Sequence, residues 1–159
     1  MAARLRPARP EECAALTDLC LRAKAHWGYD ADFLELCRPA LTVAPADLDP
    51  GRLVVAEAAG RLLGLAEILP PAATEGVAAG GAAELAKLFV APEAMGRGIG
   101  RALMDWARAA ARGAGARRLE WLADPQAVGF YLRLGGRVIG AARSDAVPGR
   151  RLPRMTLAL

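Results

Sequence analysis

Histidine is nearly missing from this 159-residue chain, where His26 is the only one. That excludes His-rich metal sites and any two-histidine zinc motif, so no metal is expected. A Ser-His-Asp or Cys-His triad would have to use His26, and no nucleophile-elbow sequence surrounds it. Cysteine is scarce as well. Cys13, Cys20 and Cys37 form neither a CxxC pair nor a complete disulfide set. Cys13 and Cys20 stand on one face of the same predicted helix and read as small buried apolar residues. Aromatic residues make up only 5% of the chain and are not interleaved with basic ones, which argues against a nucleic-acid partner. No run of about 18 apolar residues is free of charge or proline, so no membrane span is expected. The opening residues, through Arg4, Arg6 and Pro7, lead into no apolar h-region. A signal peptide is therefore unsupported, and the expectation is a cytoplasmic protein. Lysine is limited to Lys24 and Lys87; every other base is arginine, scattered from Arg4 to Arg154, and the net charge is +4. Scattered arginine reads as a solvated surface or as a partner for an anionic ligand.

What the chain does have is apolar bulk. Hydrophobic residues are 54% and charged residues 24%, which excludes disorder. The length points to one domain over 1–159. Arg4-Leu5-Arg6 reads as a short strand. Pro10-Glu11-Glu12 opens a helix that runs to about Ala25. Asp30 caps a second helix expected to stop near Pro39. Leu53–Ala58 and Arg61–Leu69 form a hairpin around Ala59-Gly60. Residues 72–82, rich in Ala and Gly, read as a mobile loop. A strand follows over Glu84–Val90. A helix runs from the Gly96–Gly100 turn to about Arg112, on an apolar stripe of Ile99, Leu103, Trp106, Ala107 and Ala110. Then come a strand (Arg118–Ala123), a helix opened by Asp124-Pro125 and closed by Gly135-Gly136, and two closing strands. The order predicts an α/β (α+β) fold: a mixed, mostly antiparallel sheet of about six or seven strands with helices on both faces.

The segment Leu88 to Leu103 carries the chemistry. A strand runs into Gly96-Arg97-Gly98-Ile99-Gly100, which opens an amphipathic helix. The first turn of a helix has unpaired N–H groups and a partial positive charge, and glycines let a phosphate reach them. No Gly-Lys-Ser/Thr follows, so this is not a P-loop. A dinucleotide fold wants G-x-G-x-x-G directly after its strand. Here the third slot holds Arg101 or Leu103, although Glu120 sits at a tempting distance; a dinucleotide-binding oxidoreductase stays as a rival.

Met95-Gly96-Arg97-Gly98-Ile99-Gly100 resembles the coenzyme A loop, Q/R-x-x-G-x-G/A, of the GNAT superfamily of N-acetyltransferases, with Met95 in the Gln/Arg slot. Asp124-Pro-Gln-Ala127-Val-Gly-Phe130-Tyr131-Leu-Arg133-Leu-Gly135 resembles a second motif of the family, with Asp124 where Asn is common. The two lie in the family's order, one helix and one strand apart. The resemblance implies a GNAT-like acyl-CoA acyltransferase fold in which the strands at 84–90 and 118–123 splay around the pantetheine arm of acetyl-CoA. Backbone groups near Leu88, Phe89 and Val90 would pair with that arm. Met95 to Arg101, with Arg97 and Arg101 adding charge, would hold the pyrophosphate, and Asp124, Phe130 and Arg133 would complete the cofactor site.

The implied reaction is direct attack of an amine on the acetyl thioester. Freeing an amine of pKa 10.4 at pH 7 costs about 4.6 kcal/mol, so a base is needed. Glu84 matches the family's strand acid; Glu67 and His26 are further candidates. Tyr131 matches the family's general acid and suits a hydrogen-bond donor to the forming thiolate. His26, Trp27, Tyr29 and Trp121 would wall the acceptor site. The acceptor would be a small-molecule or peptide amine, and a homodimer is an expectation from the family. A non-catalytic acyl-CoA binding module on the same fold is the alternative.

Overall fold

The structure is a computed structural model and describes residues 2–71 and 81–159. Its elements are β1 (Arg4–Arg6), a 3-10 turn at Pro10–Glu12, α1 (Cys13–Ala25), α2 (Ala31–Leu41), β2 (Leu53–Ala58), β3 (Arg61–Leu69), β4 (Ala82–Val90), α3 (Ile99–Gly113), β5 (Arg118–Leu122), α4 (Val128–Arg133), β6 (Arg137–Arg143) and β7 (Arg151–Ala158). The strands make one seven-stranded sheet in the order β1-β2-β3-β4-β5-β7-β6. Every neighbouring pair is antiparallel except β4–β5. The expected loop at 72–82 falls, up to residue 80, outside the described residues, and Ala82 already belongs to β4.

Local chemistry accounts for most boundaries. Ala59 and Gly60 both take positive φ, 51° and 75°, as a two-residue hairpin turn of the primed type requires. Asp30 caps α2 by accepting the Phe33 N–H at 2.9 Å. That helix does not stop at Pro39 but continues to Leu41. Pro39 stands in the last turn, where only one intrahelical donor is lost, and burial of Leu41 holds the chain beyond it. The helix expected from Asp124 is short: a 3-10 turn at Pro125–Ala127, then α4.

The sheet is covered on two faces. Along β3, alternation sends Gly64, Ala66 and Ile68 toward α3; a Cβ on Gly64 would meet Leu103 and Ile99. Leu65 and Glu67 point the other way, where α1 packs across β3 and β4. Cys20 and Cys37 are buried there, whereas Cys13 is only half-buried. Burial pushes the Cys20 thiol up to about 12, so it behaves as a small apolar residue. One irregularity matters for the site. Glu67 pairs with Lys87 and Ile68 with Leu85, which leaves Ala86 as an extra residue in β4. Such a bulge bends its strand and increases its twist.

Candidate functional site

The parallel ladder between β4 and β5 is three residues long, Ala82↔Arg118 to Glu84↔Glu120. Beyond it, at the Ala86 bulge, the strands separate. The opening is a groove of about 570 Å³, walled by Leu85 to Val90 on one side and by Trp121, Leu122 and α4 on the other. This is the splay that the family resemblance implies, and Leu88, Phe89 and Val90 line it.

The groove ends at the start of α3. Gly96 and Gly98 have φ of 78° and 80°, and a Cβ on either would meet nothing within 4 Å. Their need is conformational, and the space above them is open. Gly98 is the N-cap of α3 and supplies no side chain, and no acid stands in the first turn. The leading N–H groups of a 15-residue helix therefore face the groove without an oxygen partner from a cap. Gly100 serves a different purpose. A Cβ there would lie 2.9 Å from Cζ of Phe130, so this glycine lets α3 and α4 approach. Met95 and Arg101 line the groove, while Arg97 is exposed beside it. An elongated ligand with a phosphate at one end fits this donor set.

Tyr131 sits in the opposite wall. Its ring packs against Trp121 (centroids 4.9 Å apart) and edge-on to Phe130 (5.1 Å). Burial, and then the charge of Asp124, push its phenol well above the ordinary tyrosine value. It has no hydrogen-bond partner among the described residues, yet Trp121 Nε1 is the one fully buried unpartnered side-chain atom among them. The Tyr131 hydroxyl therefore reaches the groove as a protonated donor.

Asp124 lines the groove, but its carboxylate is already engaged. Oδ1 accepts the Gln126 N–H at 2.9 Å. Oδ2 accepts from Lys24 Nζ at 3.0 Å and from the Tyr29 hydroxyl at 2.8 Å. Arg150 in turn donates to Tyr29 Oη at 2.6 Å. The Tyr29 ring stacks on Phe33 at 4.1 Å, with the Arg150 guanidinium over both rings. Tyr29 is thus part of a fastener joining α1, α2, the β5–α4 turn and the β6–β7 hairpin, not a free wall for an acceptor. Trp27 lines the groove mouth, and its carbonyl accepts from Gln126 Nε2. His26 is exposed at the end of α1, outside the groove lining. Phe130 and Arg133 also line the groove.

Glu84 lies on the other side of the vertex. It borders a second cavity of about 440 Å³ with Pro71, Arg118, Glu120 and Arg154; Trp121 and Leu122 border both cavities. Burial raises the Glu84 pKa, with Asp145 and Glu67 adding to the rise and Lys87 opposing it. Glu67, by contrast, is buried and paired with Lys87 at 2.9 Å, which takes it out of contention as a free base. Glu120 was weighed from sequence only as the acid of a dinucleotide-binding fold, and Arg118, Arg154, Lys24 and Arg150 were not singled out. Their only signal is cross-strand or loop pairing, which needs the sheet order.

Comparison with known proteins fits this geometry. The family model described as "Acetyltransferase (GNAT) family" matches residues 11–136. Compared with curated proteins, the sequence finds no significant match. Among solved structures, the chain is similar to a GCN5-related N-acetyltransferase from Rhodopseudomonas palustris (TM-score 0.78, 22% identity, covering 100% of this chain and 97% of that one). It is also similar to the PaiA N-acetyltransferase of Thermoplasma acidophilum, solved with coenzyme A (0.74, 18%, 100% of both). A third is a GNAT family acetyltransferase from Brucella melitensis, solved with acetyl-CoA (0.61, 26%, 98% and 87%). The fold and groove define an acyltransferase of the splayed-sheet type. The chain belongs to the GNAT acetyltransferase family. The dinucleotide-binding alternative falls with this, because a doubly wound sheet is mostly parallel and this one has a single parallel pair among its described strands.

Proposed function

We propose that this chain, taken as one catalytic unit over 1–159, transfers the acetyl group of acetyl-CoA to an amine by direct attack. The observation that carries the reading is the vertex itself. One groove runs from the uncapped N-terminus of α3 to the point where β4 and β5 meet, and Tyr131 and Glu84 stand on the two sides of that point. The first-turn N–H groups of α3, with Arg101, hold the pyrophosphate. The edge of β4 past Ala86 pairs with the pantetheine arm as an added strand would. Acetyl-CoA supplies an activated thioester. Glu84, directly or through water, takes the proton from the attacking nitrogen, and its raised pKa brings it nearer the working pH of a base. The N–C bond forms, the C–S bond breaks, and the sulfur leaves as a thiolate that accepts a hydrogen bond from Tyr131.

The test begins with calorimetric titration of acetyl-CoA, with NADH as the control. Binding of acetyl-CoA alone is expected; binding of neither would refute the groove assignment. Thiol release is then followed with amine acceptors. Tyr131→Phe is expected to keep acetyl-CoA affinity within about threefold and to lower kcat by on the order of 10²-fold, the effect of losing one aimed donor. Full turnover in that variant would return Tyr131 to a packing role. Binding without turnover on any amine would leave an acyl-CoA binding module.

A further inference from the structure

We propose that the cavity in front of Glu84 takes an α-amino acid, with its amine at Glu84 and its carboxylate on the guanidinium groups of Arg118 and Arg154. The inference rests on the acetyltransferase reading and adds the class of acceptor. The cavity lies on the sheet face defined by Glu84, Glu120, Leu122 and Arg154, which register places side by side: Glu84 opposite Glu120, and Leu122 opposite Arg154. Neighbouring strands are about 4.8 Å apart. Arg154 reaches across β5 to bond Glu120, and so ends one strand from Glu84. Arg118 bonds the other oxygen of Glu120 at 2.8 Å.

The charge count decides the chemistry. Two guanidinium groups share one carboxylate, which leaves one positive charge at the arginine end of the cavity, while the Glu84 end is negative, with Asp145 adding to it. Burial opposes ionisation of Glu120, but the bonds from Arg118 and Arg154 outweigh it and hold its pKa below the usual range. The surplus therefore persists at neutral pH. A guanidinium carries five N–H donors. Among the described residues Arg118 uses only Nε toward a partner, and Arg154 only one Nη. Both side chains are about half exposed (48% and 52%), so their remaining donors are open to the cavity mouth. Arginine's planar fork matches a carboxylate. At the other end, Asp145 adds negative potential around Glu84, with Glu67 offset by its partner Lys87, and the carboxylate of Glu84 itself favours an ammonium group. A plain monoamine meets only the Glu84 end, and a polyamine meets the surplus positive charge. An α-amino acid, its two charges separated by one carbon, meets both.

The experiment measures thiol release from acetyl-CoA with the twenty standard amino acids, their carboxamides and the matching decarboxylated amines. At least one amino acid is expected to exceed its carboxamide by tenfold or more in kcat/KM. In Arg154→Gln and in Arg118→Gln that ratio should fall toward one through a higher KM, with kcat within about twofold. Arg154→Lys should recover part of it. Equal rates on amino acid and carboxamide, an unchanged ratio in Arg154→Gln, or transfer only to peptides or polyamines would overturn the proposal and leave the acetyltransferase reading intact. Acetyl-CoA binding with no amine acetylated would overturn both.

Discussion

Desolvation raises the pKa of Glu84, which is only partly shielded by the strands around it, and of the buried Tyr131, and the same cause suits their opposite tasks. A carboxyl moved up toward neutrality is a stronger base, and a phenol moved up stays a donor. The prediction at Glu84 has a definite sign. As pH falls through its raised pKa the base is protonated, so kcat/KM should drop on an acid limb whose midpoint lies above the ordinary glutamate value of about 4.3. In Glu84→Gln the rate should be low and that limb absent, leaving only the limb from the amine's own ionisation. An acid limb at the same pH in the variant would place the base elsewhere. The glycines make a second residue-scale case. Gly98→Ala adds a methyl in open space at φ 80°, so it should cost roughly 1 kcal/mol of backbone strain and weaken acetyl-CoA binding. Gly100→Ala drives a Cβ into Phe130, so it should lower thermal stability. The motif as a string announced the first role. The second was not legible, because Phe130 lies on a different helix and the contact exists only after α3 and α4 have packed.

Among the elements, the Asp124 fastener decides how the walls of the groove are held. The sequence marked Asp124 correctly as a cap but also as a cofactor contact. Its actual partners, Lys24 and Tyr29, lie about a hundred residues back in the chain, beyond the range of any local pattern. The same limit hid the Ala86 bulge. Glu84–Val90 reads as an ordinary strand, and only its pairing with β3 reveals the extra residue that turns β4 from β5. The element order and hairpin, by contrast, follow from caps, glycines and periodicity, and were legible. Burial raises the Asp124 pKa, but the Gln126 N–H, Tyr29 and Lys24 outweigh it and the net shift is downward. A depressed carboxylate contributes stability above its unfolded value, about 3.9, and loses it as pH falls through the lower folded value. Asp124→Ala should cost about 2–4 kcal/mol at pH 7, from the lost cap and the stranded Lys24. Asp124→Asn keeps the cap and should cost less. Both variants should show a smaller loss of stability than the wild type between pH 5 and pH 2 in urea titrations. An identical acid profile would mean that Asp124 carries no net stabilising charge.

For the whole molecule the splay is a seam. One core cluster unites α1, α2, β2, most of β3 and the start of α3; the other unites the rest of α3 with β5, β7 and α4, and takes in Ile68 of β3 and Ala83 and Leu85 of β4. Among the described residues, β4 and β5 are paired over the three-residue ladder at Ala82–Glu84, extended by the Arg117 N–H to the Gly81 carbonyl and backed by α3 and by the Asp124 fastener. Next to the seam, the buried Glu67–Lys87 pair ties β3 to β4 on the α1 side. A ligand lying in the groove touches both halves at once: β4 and the N-terminus of α3 on one side, β5 and α4 on the other. It should therefore stabilise the folded state as a whole. At a concentration of 100 times its Kd, a ligand that binds only the folded chain adds about 2.7 kcal/mol. For a chain of this size each kcal/mol raises Tm by about 2–4 °C. Acetyl-CoA should accordingly raise Tm by roughly 5–11 °C, and NADH by much less. Amide exchange should slow together in Leu85–Val90, in the first turn of α3 and in α4, because one ligand closes the seam between them. Protection confined to the α3 turn would mean that the phosphates bind there while the arm stays outside the splay, and the vertex would then lose its place in the chemistry.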